Sequence, residues 1–314
     1  MKATVLLVTY NHAPYVAQAV DSVLAQTTDF PFEVVISEDC STDGTREIVE
    51  SYQRRYPDQI RLLLSEQNRC DNEVIARGIR AAQGDIIAYL DGDDWWTAPH
   101  KLQSQVAFLE REPGCAMCYH SVLRVYEGGE RASHPSLPQG PRPPMTTEDV
   151  LVKYHVNSCS LAFRRSAVPE LPEWYRSADL ADWALAVLVS TRGNLGYLDE
   201  VMAAYRIHQT GVWSALTHIQ RIERRLTFYD RLGADLQRSH AAAIRTGRAQ
   251  TFLDLALAWE AQGSAGRAAA YLLRSLRERP HSRNLTATAR LRVLARLASP
   301  RLRAGVRALR GRWA

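Results

Sequence analysis

Short apolar runs alternating with helix-length apolar stripes constrain this chain more than any other feature. Residues 5–8, 34–36, 62–64 and 86–90 are brief apolar runs bounded by polar turns, the pattern of buried strands. Between them, Val16, Ala19, Val20, Val23 and Leu24 fall at i, i+3, i+4, i+7 and i+8 behind Pro14. Residues 45–52 repeat that logic behind Ser41-Thr42-Asp43-Gly44. Strand, helix, strand, helix predicts an α/β fold with a mainly parallel central sheet covered on both faces.

Sheets of that kind bind ligands at the carboxyl ends of their strands. Polar residues gather at those places: Thr9-Tyr10-Asn11 after the first strand, Glu38-Asp39 after the second and Asp91-Gly92-Asp93-Asp94 after the fourth. Three strand ends thus offer one shared site. Residues 128–144 are rich in Gly, Pro, Ser and charge and read as a loop or flap between two halves of the domain. From about residue 217 the pattern becomes helical only.

Composition excludes several classes. A chain of 314 residues with 46% hydrophobic content can bury a large domain and a smaller appendage. No run approaches the roughly 18 to 20 apolar residues of a membrane-spanning helix, and no signal peptide opens the chain, so a cytoplasmic, non-spanning protein is expected. The five cysteines (Cys40, Cys70, Cys115, Cys118, Cys159) are odd in number and scattered, which argues against a disulfide framework. Cys115 and Cys118 form C-x-x-C without a second ligand pair and sit in an apolar run, so core packing is the expectation rather than metal or redox work. The net charge is +5, but residues 283–314 hold nine arginines and no acid, and removing those nine charges leaves −4 on residues 1–282. The basicity belongs to a tail, and no nucleic-acid partner is expected.

The Asp91-Gly92-Asp93-Asp94 turn follows a buried run directly, and hard oxygen ligands there suit Mg²⁺ or Mn²⁺ bridging two phosphates. An isolated D-x-D also reads as an acidic turn capping a helix. Its place after a buried strand and before Trp95-Trp96 favours the ligand reading. Val8-Thr9-Tyr10-Asn11-His12, then Glu38-Asp39-Cys40-Ser41-Thr42-Asp43-Gly44-Thr45, then Asp91-Gly92-Asp93-Asp94-Trp95-Trp96 resemble the successive motifs of family 2 glycosyltransferases. That resemblance implies the GT-A fold and transfer of a hexose from a nucleotide-diphosphate sugar.

By the same resemblance Thr9, Asn11 and Asp39 contact the nucleotide, Asp91 lies near the ribose or metal, and Asp93 ligates the divalent ion. Glu38 either joins that pocket or is a solvated turn residue. Asp43 is expected to fix its turn by side-chain to backbone bonding. Around residues 74–78 the register is open, and Arg77 is a pyrophosphate candidate.

The likeness continues through Asp182-Trp183-Ala184-Leu185, Leu198-Asp199-Glu200-Val201-Met202, Tyr205-Arg206-Ile207-His208 and Gly211-Val212-Trp213-Ser214, and so covers about residues 3–215. It makes Asp182, at the start of an apolar-periodic helix, the general base of an inverting transfer. On its own that position also suits an acid favoured by the helix dipole, and Asp179 is a rival carboxylate. Relatives often carry an acid just before this aspartate; here it is Ala181. Arg206 and His208, two apart, can project from one face onto a departing pyrophosphate, His208 also as a metal ligand. Trp213 reads as a sugar or acceptor platform, or as core.

Residues 216–314 read as a helical region. Phe252, Leu255, Ala256, Trp259, Gly263, Ala268, Leu272 and Pro280 resemble one tetratricopeptide repeat over about 249–282, which cannot bury its own face and must dock on something. Leucines interleaved with arginines in 286–314 either lie on an anionic membrane surface, suiting a lipid-linked acceptor, or cap the helices. Without membrane helices or a Gln-x-x-Arg-Trp motif, single-sugar addition to a glycan or lipid-linked acceptor is expected, from UDP or dTDP donors by family habit. The competing class is a non-catalytic nucleotide-sugar-binding scaffold acting through the helical repeat.

Overall fold

The computed structural model describes residues 1–68, 71–129, 131–211 and 213–278, in two compact units. The first comprises Met1–Val150 and Tyr154–Ser214; the second comprises Leu151–Lys153 and the chain from Ala215.

The first unit begins with β1 (Ala3–Thr9), α1 (Val16–Leu24), β2 (Phe32–Glu38), α2 (Thr45–Arg55), β3 (Ile60–Leu64), α3 (Glu73–Ala81) and β4 (Ile86–Asp91). β1 pairs parallel with β2 on one side and with β4 on the other, and β2 pairs parallel with β3. Alternation along β1 sends Ala3, Val5 and Leu7 into a cluster with Val16, Ala19, Val20 and Val23 of α1 and Val49 and Tyr52 of α2. Leu6 points to the other face, where α3 approaches so closely that a Cβ on Gly78 would fall 2.3 Å from Leu6 Cδ1.

The chain continues as β5 (Trp95–Trp96), α4 (Lys101–Arg111), β6 (Cys115–Tyr126), β7 (His134–Pro135), α5 (Thr147–Val152), β8 (Ala162–Arg164), α6 (Glu173–Arg176), α7 (Ala181–Ser190) and β9 (Asn194–Ile207). The strand order is β3-β2-β1-β4-β8-β6-β9-β5, with β7 paired to β6. Pairing is parallel among the first four strands and between β6 and β9; the three-residue β8 runs antiparallel to both β4 and β6. The sheet therefore changes from parallel to mixed past β4, where β8 enters antiparallel between β4 and β6. Cys115 and Cys118 are buried free thiols of β6. Within 128–144 only β7 is regular among the described residues.

The second unit contains α8 (His218–Arg231), α9 (Ala234–Ser239), α10 (Ala241–Ala261) and α11 (Ala265–Glu278). Thr217 and Gln220 form a reciprocal capping box at the start of α8. α10 and α11 are joined through Gly263 at φ +79°, and Phe252, Leu255, Ala256, Ala268 and Leu272 are buried between helices. Pro280 and the arginine-rich stretch 283–314 lie outside the described residues. No helix among the described residues is long and apolar enough to cross a membrane.

One buried charge stands out in the first unit. Lys101 is fully buried, its Nζ donating to Gln105 Oε1 at 2.6 Å and lying 3.9 Å from the Trp96 ring centroid. Burial pulls its pKa down to about 7. Below that pH the fold carries a desolvated ammonium; between about 7 and the ordinary lysine value the unfolded chain holds a proton that the folded chain lacks, so stability rises with pH across this window. Replacing Lys101 by Met should stabilise the protein at pH 6 by about 1–4 kcal/mol, with the gain shrinking towards pH 10. Thermal melts of both proteins at pH 6 and pH 9.5 check this; a variant no more stable than wild type at pH 6 contradicts it.

Candidate active site

The register of the parallel strands sets the site. Thr9 pairs with Glu38 and Val8 with Asp91, so β1, β2 and β4 end level with one another. The Asp39 N–H donates to the Thr9 carbonyl at 3.0 Å and the Gly92 N–H to the Val8 carbonyl at 2.8 Å, tying both strand-end turns to β1. Thr9 is buried, with Oγ1 3.3 Å from His12 Nδ1. A side chain at position 92 would destroy that contact, since a Cβ there would fall 2.5 Å from Thr9 Oγ1 and 2.9 Å from His12 Nδ1. Asn11 takes φ +53°, a conformation asparagine tolerates better than most residues. Its side-chain oxygen accepts the Thr42 N–H at 2.9 Å, while its own N–H donates to Ser41 Oγ at 3.0 Å. Asp43 accepts the N–H groups of Ala13 and Thr45, the backbone bonding its turn chemistry predicts.

Of the two readings open to Glu38, the solvated turn residue does not hold, because its side chain is buried in the turn. Its carboxylate accepts the Ser41 N–H at 2.5 Å and Arg46 Nε at 2.7 Å, and it is fully buried. Asp39 is half-buried and accepts from Ser65 Oγ at 3.0 Å; burial raises its pKa against the opposing effects of that bond and of Arg77. Arg77 donates to Ser37 Oγ and to the carbonyls of Glu38 and Leu63 at 2.7–2.9 Å. It thus ties the ends of β2 and β3 beside Asp39, and none of these bonds reaches the 91–94 turn.

In that turn each carboxylate has its own environment. Asp91 accepts from the Tyr89 hydroxyl at 2.9 Å and from Ser158 Oγ at 2.5 Å; burial, then the charge of Asp93, push its pKa up to about 7. Asp93 stands against two imidazoles, with His208 Nε2 at 3.1 Å and His12 Nε2 at 3.6 Å. Burial raises its pKa, but the His208 hydrogen bond and the fields of both histidines prevail and hold it below the ordinary carboxylate value. Asp94 is buried and braces β9 by accepting the Arg206 N–H at 2.8 Å.

The structure brings Arg206 and His208 together on Asp93, but differently. The Arg206 guanidinium lies between the rings of Tyr15 and Trp95, 4.6 and 4.5 Å from their centroids, and donates to the Asp93 carbonyl and Gln18 Oε1. These commitments hold it as a wall of the site rather than as a free arm. His208 is buried, with Nδ1 2.9 Å from Thr210 Oγ1, which leaves Nε2 for Asp93. Trp213 is half-buried in the turn that folds back on this histidine through Ser214 Oγ, which donates to the His208 carbonyl.

Asp182 lies in the first turn of α7. The sequence reads that helix as having an apolar stripe, but every residue from Trp183 to Ser190 is buried, so the helix is enclosed on all sides. Burial pushes the Asp182 pKa up to about 6 against backbone N–H groups and the nearby Tyr154 hydroxyl. Its charge is felt by Asp91 and Tyr89, which places it at the same edge as the 91–94 turn. The approach to α7 is stapled from α3: Asn72 Nδ2 donates to the carbonyls of Tyr175 and Ala178 at 2.8 and 2.9 Å, and the Asn72 N–H donates to that of Arg176.

Sequence reasoning missed His12, Ser65, Asn72, Tyr154 and Ser158 as parts of this site. His12 and Ser65 carried a signal, being next to Asn11 and directly past an apolar run; the others arrive from loops with no periodicity. Among the described residues no three His, Cys, Asp or Glu side chains form a ready metal cluster. The Asp93 carboxylate suits Mn²⁺ or Mg²⁺ whose other ligands are water and phosphate oxygens, while a ligating imidazole beside it fits the transition ion Mn²⁺ better than Mg²⁺.

Comparison with known proteins follows the same lines. A family model described as glycosyl transferase family 2 matches residues 4–171. The uncharacterized protein Rv1520 of Mycobacterium tuberculosis is 34% identical over 210 residues, 67% of this chain and 60% of its own length, so this chain spans less than two thirds of that relative. The poly(ribitol-phosphate) β-N-acetylglucosaminyltransferase TarS of Staphylococcus aureus is 31% identical over 113 residues, 35% of this chain and 19% of its own. The crystal structure of TarS residues 1–349 with UDP-GlcNAc superposes at TM-score 0.55 with 16% identity, covering 90% of this chain and 93% of that one. The mannosyltransferase PcManGT of Pyrobaculum calidifontis, in complex with GDP-Man and Mn²⁺, superposes at TM-score 0.58 with 18% identity, covering 96% and 82%. These likenesses at low identity carry the fold, and the family match over more than half the chain carries membership: the chain belongs to glycosyl transferase family 2.

Proposed function

We propose that this protein is an inverting, non-processive glycosyltransferase that moves a sugar from a nucleotide-diphosphate donor, UDP- or dTDP-linked, to a hydroxyl of a glycan or lipid-linked acceptor. The observation that carries the reading is the level ending of β1, β2 and β4, which gathers Thr9, Asp39, Asp91 and Asp93 at one edge, within the field of Asp182. TarS and PcManGT, which share the fold, have structures with UDP-GlcNAc and GDP-Man.

In this reading the Thr9–Asp39 end receives the base and ribose, and Asp91 lies towards the ribose. A Mn²⁺ or Mg²⁺ ion held by Asp93 and His208 would supply neutralisation of the diphosphate charge. Arg206, fixed between Tyr15 and Trp95, keeps a positive wall beside Asp93, and the turn bearing Trp213 borders the donor. Asp182 removes the proton from the acceptor hydroxyl. That oxygen bonds to the anomeric carbon while the bond from this carbon to the diphosphate oxygen breaks, so a nucleoside diphosphate leaves and the anomeric configuration inverts. Peripheral contact of residues 286–314 with an anionic membrane would bring a lipid-linked acceptor within reach.

Release of nucleoside diphosphate from UDP-, dTDP- and GDP-sugars tests this. One donor should turn over with Mn²⁺ or Mg²⁺ and stop on chelation. Asp93→Ala should lose most of that turnover, and Asp182→Asn should lower acceptor-dependent transfer by about 10²–10⁴-fold. No turnover and no calorimetric binding of any nucleotide would favour the scaffold reading instead.

The base also sets a pH dependence. Asp182 acts when ionised and its pKa is raised to about 6, so kcat should rise through an acid limb near pH 6 and level off above it. A rate profile from pH 5 to 8 checks this; a limb near the ordinary carboxylate value would contradict the burial account.

A further inference from the structure

Two tyrosine hydroxyls face Asp182, those of Tyr154 and Tyr175; both are shut off from solvent and neither makes a hydrogen bond of ordinary geometry among the described residues, although the Tyr154 hydroxyl is near enough to the Asp182 carboxylate for each to shift the other. A buried hydroxyl left unpaired costs about 1–3 kcal/mol, so two of them around one carboxylate call for a use. Their mountings differ. The Tyr154 ring lies parallel to the Trp183 indole, centroids 5.7 Å apart and planes at 5°. Trp183 is the residue after Asp182, and its Nε1 donates to the Val150 carbonyl at 2.8 Å. Indole, ring and carboxylate therefore form one assembly, and Tyr154 cannot swing away without giving up the stack. Tyr175 is held by its backbone, through the Asn72 clamp, and no aromatic ring among the described residues is stacked on it.

We propose that Tyr154 is a positioning residue for Asp182: its hydroxyl donates to one carboxylate oxygen when the acceptor is bound, leaving the other oxygen aimed at the acceptor hydroxyl. Tyr154 keeps its proton throughout, and the proton taken from the acceptor goes to Asp182. A bond to the ionised carboxylate also favours the form that acts as base. The inference rests on Asp182 being that base. The ionisable groups facing Asp182 are Tyr154, Tyr175, Tyr89 and Asp91, and the first is singled out because its ring is locked on the neighbour of the base.

Tyr154→Phe preserves the ring and its stack and removes only the hydroxyl. On the full chain, with acceptor, it should lower kcat about tenfold, leave the donor KM unchanged and move the acid limb of kcat to higher pH. Tyr175→Phe should change kcat by less than about twofold and leave the limb in place. A Tyr154→Phe protein with wild-type kcat and an unmoved limb, beside an Asp182→Asn protein that is inactive, overturns the inference alone; an active Asp182→Asn protein overturns the base reading and the inference with it. Should Tyr154→Phe fail to bind nucleotide by calorimetry, Tyr154→3-fluorotyrosine asks the same question: a more acidic donor in place should draw the limb to lower pH, and an unmoved limb again overturns the inference.

Discussion

The site depends on β1 being paired in parallel on both sides. With β2 and β4 in matching register beside it, the three strands end level, and the turns that follow open onto one edge. A one-residue slip of β4 against β1 would exchange the faces of its side chains, sending Leu90 out of the apolar cluster and turning Asp91 away from Ser158. Apolar burial along β1 and β4 opposes such a slip, at about 1.5–3 kcal/mol for each large side chain. The position of the acidic turn is thus decided by residues that take no part in its chemistry. Asp39 and Gly92 add the local ties to β1, and the missing side chain at Gly92 lets Thr9 and His12 close against the turn.

Three carboxylates stand in the 91–94 turn, and their surroundings separate them. Asp91 and Asp94 are driven towards the neutral form by burial and by the neighbouring charge of Asp93. Asp93 alone of the three is held ionised, because two imidazoles face it. In a cluster of like charges only one member can keep its charge cheaply, and the histidines decide which. That leaves Asp93, rather than its neighbours, as the anionic carboxylate of the group. Arg206 supports the choice from outside: its backbone N–H holds Asp94 and its guanidinium the Asp93 carbonyl, so β9 fixes the turn from the far half of the sheet.

Much of the fold was legible because each early strand is a short apolar run bounded by polar turns, and α1 carries an unbroken stripe behind a proline. The later sheet was less legible. β8 is three residues long and β5 two, too short for periodicity to register, and both find their places through pairing with distant strands. The same division applies to the site. Thr9, Asn11, Asp39 and Asp93 stand within three residues of the ends of apolar runs and could be placed at one edge from that alone. Glu38 could not be settled, since only the structure shows Arg46 returning from the next helix to cover it. Arg77 enters as a pyrophosphate candidate only through the family resemblance, in a stretch whose register is open in the sequence, and its bonds go to strand-end carbonyls and a serine. Asn72 and Tyr154 had no pattern to reveal them, because their partners lie far along the chain.

α7 gives Asp182 the setting that the proposed role of base requires. A helix enclosed on every side would normally exclude a charge, and burial does oppose ionisation of Asp182. Its place in the first turn offsets part of that cost, since free N–H groups at a helix start favour an anion and the backbone N–H groups at Asp182 and Trp183 act on it. Burial outweighs these N–H groups, and the balance leaves a carboxyl poised near pH 6 rather than a strong acid or a permanently neutral group. A carboxylate fully exposed to water would be too weak a base, and one buried without the helix terminus would keep its proton. The Asn72 staple matters for the same reason, because the balance exists only while the chain before α7 delivers Asp182 to the start of the helix and to the edge shared with β4.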